Sequence, residues 1–560
     1  MAKSSASASR NMCFSNLVSQ HAPINRQMTG SSFLRSVRRS VGIAVLGSVM
    51  MLAGCSSGEA PGLGEQGYVG GFFGGVASDE PNASLAAREV LTVGGSAADA
   101  AVSLAFALGV TMPARAGIGS HGVCLVHDAN LGLTEVLDFL PPKSAATPPG
   151  SPAMPTFARG MAALHARYGR LAWGGLLSSA EQLARLGHRA SRATRKDLEE
   201  KWRRIAADPV ALGALGTSRG TAPDGVTKWQ QVELSSVLGQ LRYKGAGALY
   251  TGTLLKSVYE SYEALGAGFT LEQFQNYVPV WRRPLSLAAG PHRAFVLPPP
   301  LAGGVPLGQS FGLLMSEENG PVGDSADRSA EVIKAIIAGL VDREKWAGAG
   351  ELTAEQADAL LAQGRIEQLA GNRQGLTQPI PGLPPIDSGS TGFVVVDREG
   401  LAVACTIGLT GGAGLGKMPR GMGFFPARQP YDDYWGSPLI IANDSTFQLY
   451  LAAAGDTGAA GLGALLTTSI RAYRDGVSLE TAISEPRLTF APSVGVIVEA
   501  DAPEDYAQGG ASLGLPVRRT AALGRINIAY CPSGLPVQAE ARRCAASADP
   551  RGDGLAALAN

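Results

Sequence analysis

The sequence predicts an α+β fold in which strands are sandwiched between helices, and three observations predict it. Residues 392–396 form an apolar, β-branched run, 397–400 a tight turn and 401–406 a partner run, the signature of a buried hairpin. Residues 155–280 carry apolar residues mostly at helical spacing. Residues 96–108 are Ala-rich and open on Ser96 with Asp99 three positions on, a capping-box pattern that makes Asp99 a helix cap rather than a catalytic acid.

From the N-terminus, Arg35, Arg38 and Arg39 precede an apolar run over 41–52 and then Leu52-Ala53-Gly54-Cys55. Basic, apolar and small-residue parts in that order read as a lipoprotein export signal over 1–54, with translation starting at Met1 or Met28 and Cys55 carrying the lipid. The alternative for the apolar run is a buried core helix. Residues 55–69 read as a flexible tether. This predicts a bacterial envelope protein anchored to a membrane through Cys55, facing the periplasm, with the outer membrane as its destination.

Beyond the tether, 74–78 reads as a strand, 83–91 as a helix, and Gly94-Gly95 as the turn before the capped helix. Helical spacing marks 160–167, 174–186 and 271–277 as scaffold. A polar helix ends near Gly371, and the prolines over 378–385 exclude a central strand or helix and imply an exposed approach to the hairpin. Strands at 438–443 and 448–454 lead into the glycine-rich 455–461 and a helix over 462–474.

Lys+Arg and Asp+Glu stand at 47 each, which argues against a nucleic-acid binder and for a small-molecule partner. Six histidines without ligand spacing indicate neither metal nor cofactor. Of six cysteines, Cys13 and Cys55 belong to the leader and lipid site. Cys124 and Cys405, in apolar strands, read as free buried thiols. Cys531 and Cys544 flank a Gly/Pro loop and read as a disulfide in an exported chain.

No Cys/His pairing has local support. What remains is Asp387-Ser388-Gly389-Ser390-Thr391-Gly392-Phe393, hydroxyls between a linker and a buried strand. By itself such a run is ordinarily a loop.

Gly94-Gly95-Ser96-Ala97-Ala98-Asp99-Ala100-Ala101-Val102, Gly117-Ile118-Gly119, Tyr168-Gly169, Tyr250-Thr251-Gly252, Val395-Val396-Asp397, Pro486-Arg487-Leu488 and Asp549-Pro550-Arg551 resemble, in order, landmarks of the gamma-glutamyltransferase (glutathione hydrolase) family. The resemblance implies the four-layered αββα sandwich of N-terminal nucleophile hydrolases. It also implies a precursor that cuts itself into a large region, 70–389, and a small region, 390–560, which stay associated as one αββα unit.

Counting back from Val395-Val396-Asp397, the resemblance places the cut between Gly389 and Ser390. It makes Ser390 the nucleophile where the family has Thr, with Thr391 the alternative, and puts Gly392 where the family commonly has His. It assigns Gly458 and Ala459 to an oxyanion hole, workable provided Ala459 need not adopt positive φ; a plain turn into a helix is the other reading. For substrate binding it offers Thr410 in place of an Asn, and Asp432 or Asp433 as the acid that meets the substrate amine. The family's Phe-Arg-Glu is Phe139-Leu140-Pro141 here, and its paired serines are replaced within Ile440-Ile441-Ala442-Asn443. Two functions follow: a self-processing amide hydrolase or acyl transferase acting on a small-molecule amide or peptide, gamma-glutamyl or related, or a non-catalytic lipid-anchored envelope protein that retains the fold.

Overall fold

Residues 390–397 and 401–408 are buried along their whole length, so the sheet they belong to must be covered on both faces. The computed structural model describes residues 72–142, 148, 150–315, 325–347, 352–371, 389–429, 434–536 and 544–560. The leader, Cys55, the tether, the prolines at 378–385, Asp432 and Asp433 lie outside the described residues.

The buried hairpin lies at the centre of a seven-stranded antiparallel sheet. Its order is β16 (Leu555–Ala559), β1 (Gly74–Ser78), β7 (Ser390–Asp397), β8 (Leu401–Gly408), β2 (His121–Asp128), β3 (Leu133–Asp138) and β4 (Val280–Arg282). A second, six-stranded antiparallel sheet runs β15 (Ala545–Ala548), β14 (Ile526–Leu535), β10 (Leu449–Gly455), β9 (Leu439–Ala442), β6 (His292–Val296) and β5 (Leu285–Ala289). A small third sheet holds β11 (Leu488–Ala491), β12 (Gly495–Glu499) and β13 (Val517–Thr520). Residues before and after position 390 thus contribute strands to both large sheets.

The core divides as the pleat of β7 dictates. Val394 and Val396 meet Ala452, Ala454 and Ala529 of the second sheet, whereas Phe393 and Val395 pack with the helices Pro81–Thr92 and Ala97–Thr111. Helices Gly304–Leu314, Ala326–Arg343 and Gly458–Tyr473 cover the other side of the second sheet. The result is helices, sheet, sheet, helices: a four-layered αββα sandwich.

Ser96 and Asp99 form the reciprocal capping box. The Asp99 carboxylate also accepts the backbone N–H groups of Arg170 and Leu171, so this acid is structural. Two expectations need correction. Cys124 and Cys405 are not free thiols: they sit directly opposite on β2 and β8, Cα atoms 4.0 Å apart, and are disulfide-bonded. Cross-strand apposition, not the apolar setting, decides their state. The helix expected over 462–474 begins earlier, as Gly458–Tyr473. Gly458 takes φ +89, a backbone state open to glycine, and starts the helix directly after β10. Cys531 and Cys544 are also disulfide-bonded.

Candidate active site

Ser390 and Thr391 are adjacent on a strand, so their hydroxyls leave on opposite faces. Ser390 is only 2% exposed. Its Oγ accepts a hydrogen bond from the Thr457 backbone N–H at 2.8 Å and lies 3.0 Å from Thr457 Oγ1. Thr391 Oγ1 donates to Asp79 Oδ2 at 2.8 Å, and Asn527 holds the other oxygen of Asp79 at 2.8 Å. The Thr391 hydroxyl is therefore engaged by a buried carboxylate, while the Ser390 hydroxyl faces the turn where β10 runs into the helix Gly458–Tyr473.

That helix starts beside the Ser390 hydroxyl. Thr457 is its N-cap, yet its side chain makes no capping bond, so it does not compete for the first-turn amides. The positive φ of the turn falls on Gly458 and not on Ala459, which answers the proviso attached to alanine there. Gly458 N–H donates to Trp435 O at 3.3 Å.

On the approach to Ser390, Gly389 adopts φ +65, and a Cβ there would lie 2.4 Å from Gly411 C and Gly412 N. Only glycine fits. Gly392 is equally constrained, since a Cβ would stand 2.5 Å from Gly455 N on the facing sheet. Ser390 and His121 both pair with Gly408, one from each side, so the three lie in a row across the sheet with no side chain at the middle position. His121 Nε2 is 2.8 Å from Thr410 Oγ1, and burial lowers the His121 pKa to about 4, which keeps the ring neutral. Thr410 itself has φ 55, an unusual state for a β-branched residue.

Charged side chains close the other flank. Arg115 Nη1 donates to Ser390 O at 2.9 Å and Arg115 Nε meets Asp197 at 2.5 Å. Lys201 bonds the same Asp197 oxygen at 2.7 Å. Arg525 pairs with Asp456 at 3.1 Å and reaches Ser390 O at 3.5 Å. Burial and the neighbouring Arg115 act to lower the Arg525 pKa, but Asp456, Asp79 and Asp197 outweigh them and hold it above the usual value. Burial pushes the Asp197 carboxyl up, yet Arg115, Lys201 and Arg525 bring it below its ordinary range. Among the described residues, no group of three or more His, Cys, Asp or Glu side chains could hold a metal ion.

Of the residues singled out in the sequence, the fold brings Ser390, Thr391, Gly389, Gly458 and Ala459 to one end of the two sheets, with Thr410 beside His121. Asp79, Arg115, Asp197, Asp456, Thr457, Arg525 and Asn527 escaped sequence reasoning. Two signals were present: Asp456-Thr457 opens the glycine-rich turn, and Arg115 stands just before Gly117-Ile118-Gly119. Leu140, Ile440 and Ile441 lie in or against apolar clusters, Ile440 in the one between the sheets and Leu140 against it.

Residues 83–432 match the family described as Gamma-glutamyltranspeptidase. The Escherichia coli glutathione hydrolase proenzyme is 26% identical over 65% of this chain and 67% of its own length. The Pseudomonas sp. glutathione hydrolase proenzyme is 24% identical over 75% of this chain and 82% of its own. With Arabidopsis thaliana glutathione hydrolase 2 the identity is 28%, and the match spans only 48% of this chain and 49% of that protein. Among solved structures, the cephalosporin acylase from Bacillus halodurans superposes with a TM-score of 0.72 at 20% identity, covering 89% of this chain and 98% of that one. At that identity the likeness concerns the fold. The family match spans more than half of the sequence, and the chain belongs to the gamma-glutamyltranspeptidase family.

Proposed function

We propose that this protein is a self-processing amide hydrolase or acyl transferase in which Ser390 is the nucleophile, first on the Gly389 carbonyl and then on substrate. The observation that carries the reading is the setting of the Ser390 hydroxyl: buried, fixed by the Thr457 amide, and preceded by a glycine whose φ of +65 and crowded flank admit no side chain. Attack on Gly389 gives an ester that water opens. The division into 70–389 and 390–560 follows, and the two fragments stay together because both build both sheets. The released Ser390 amine then serves as general base, with an ordinary α-amino pKa of about 8 and so a usable unprotonated fraction near neutral pH. Amides at the helix start receive the oxyanion, Ala459 directly and Gly458 on release of its bond to Trp435 O.

The substrate is an amide or peptide whose acyl part lacks the free α-carboxylate of glutathione. Apolar Leu140, Ile440 and Ile441 offer that charge no counter-ion, and a carboxylate removed from water unpaired costs several kcal/mol. Thr410 and an acid at Asp432 or Asp433 are the polar contacts left to it. The basic, apolar and small-residue pattern ending at Cys55 supports export to the bacterial envelope on a lipid anchor. A non-catalytic role is favoured by one feature only, the same loss of polar contacts.

N-terminal sequencing of the purified mature protein tests the reading. A fragment beginning at Ser390 is expected. Ser390→Ala should remain one inactive chain, whereas Thr391→Ala should still be cut. An intact wild-type chain after long incubation overturns the enzyme reading in favour of the non-catalytic one, and the reverse pair of outcomes moves the nucleophile to Thr391.

A further inference from the structure

The Ser390 amine explains turnover but not the first cut, because in the precursor that nitrogen is an amide and accepts no proton. A different group must take the hydroxyl proton while the chain is intact. Ser390 Oγ accepts the Thr457 N–H at 2.8 Å, which fixes one lone pair and leaves its own hydrogen to donate. The oxygen within reach is Thr457 Oγ1 at 3.0 Å.

Thr457 is also withheld from the task its position normally gives it. A hydroxyl residue at an N-cap ordinarily accepts a first-turn N–H. In this chain Ser96, Ser191, Thr270, Ser325, Thr353 and Ser478 do so, whereas Thr156 and Thr251 bond backbone carbonyls instead. Thr457 holds extended N-cap dihedrals, φ −86 and ψ 166, yet makes no side-chain cap and meets Ser390 instead.

We propose that the Thr457 hydroxyl is a catalytic proton carrier for self-cleavage, an inference that rests on Ser390 being the nucleophile. As the bond from Ser390 Oγ to the Gly389 carbonyl carbon forms, the Oγ proton moves to Thr457 Oγ1. The Gly389–Ser390 C–N bond breaks, and Thr457 passes its own hydroxyl proton to the departing Ser390 nitrogen. Thr457 ends as it began, Ser390 gains a free amine, and water then opens the ester to a Gly389 carboxylic acid and the Ser390 hydroxyl. Of the charged groups around it, Arg115 after the helix Ala97–Thr111 and Arg525 before β14 reach the Ser390 carbonyl, Asp197 and Lys201 of the helix Arg192–Ile205 lie behind Arg115, Asp456 pairs with Arg525, and Asp79 holds Thr391.

The test uses freshly translated full-length chain, following appearance of the Ser390-initiated fragment by denaturing gel and mass spectrometry. Thr457→Val keeps the backbone N–H and the shape but removes the hydroxyl, and should slow cutting by about 10²–10⁴-fold, the usual scale for a positioned acid–base group. Thr457→Ser restores the hydroxyl and should cut within about tenfold of wild type. Equal melting temperatures of Ser390→Ala with and without Thr457→Val establish that folding is unaffected; should valine not be accommodated, Thr457→Ala replaces it. Wild type cut and Thr457→Val cut at the same rate overturns the role of Thr457 alone. An uncut wild type overturns the nucleophile reading beneath it.

Discussion

Cys124 and Cys405 are joined across β2 and β8 although 281 residues separate them in the chain, and the Gly389–Ser390 bond lies between them. In the uncut precursor the bond closes a long loop, a type of cross-link that stabilises by roughly 2–4 kcal/mol. After a cut at Gly389 no loop remains, and the same bond becomes a covalent tether between large and small fragments. Mature protein should therefore run as one band on a non-reducing denaturing gel and as two after reduction. Cys405→Ser should give two bands in both lanes while the native fragments stay associated. Two bands without reductant in the wild type would show that the thiols are unpaired.

Arg487 and Asp549 come from two sequence landmarks, Pro486-Arg487-Leu488 and Asp549-Pro550-Arg551, and meet at 2.6 Å with both side chains fully buried. Asp549 also accepts the Ile526 N–H at 3.0 Å, and Arg551 pairs with Glu499 at 2.5 Å. The landmarks thus fasten the third sheet to the C-terminal segment. Removing one partner of a buried pair leaves the other charge stranded, so Asp549→Ala should destabilise by about 3–5 kcal/mol. Thermal melting of a Ser390→Ala background checks this apart from cleavage. A change of only a few tenths of a kcal/mol would contradict it.

Much of the scaffold was legible because its signals are local. The β7–β8 hairpin is written in one run of apolar residues and one turn, and the Ser96–Asp99 box in four consecutive positions. The surroundings of Ser390 were not legible. Asp79, Arg115, Asp197, Asp456 and Arg525 arrive from separate segments, and each alone looks like an ordinary charged residue. Cys124 and Cys405 each sit in an apolar strand that matches a buried thiol as well as a half-cystine; only the strand order makes them opposite. Ordered landmarks gave the family, but landmarks such as Arg487 and Asp549 report on architecture, so they could not reveal what holds the nucleophile.

Leu140→Arg returns the charge that the family uses for the glutamyl carboxylate, but it should not create glutathione activity. Leu140 packs against the apolar cluster between the sheets, which contains Ile440, and Tyr434 and Phe295 pack against the same cluster. A lone guanidinium there would be poorly hydrated, and the partner serines are absent. Hydrolysis of gamma-glutamyl anilides should stay at the wild-type background, with a lowered melting temperature. A tenfold or greater gain in anilide hydrolysis would show that the glutamyl pocket is intact apart from this residue.

Gly392 stands where the family commonly carries His, and the packing of the two sheets explains why glycine is required. A Cβ at 392 would lie 2.5 Å from Gly455 N and 2.6 Å from Ala454 C, both backbone atoms of β10. Neither can rotate away, so Gly392→Ala must push β7 from β10, at a cost of about 1–3 kcal/mol for an overpacked site. The displacement acts two residues from Ser390, on the face that carries its hydroxyl, and would lengthen the 2.8 Å bond from the Thr457 N–H. Self-cleavage should then slow by more than the stability loss alone explains, because a hydroxyl held off its line of attack loses rate steeply with small shifts. Gly392→His, the larger change, should yield little folded protein. The comparison needs the melting temperature of Gly392→Ala in the uncut Ser390→Ala background and its cutting rate with Ser390 intact. Wild-type melting and wild-type cutting together would mean that the sheets have room at this crossing, and that the glycine has no steric cause.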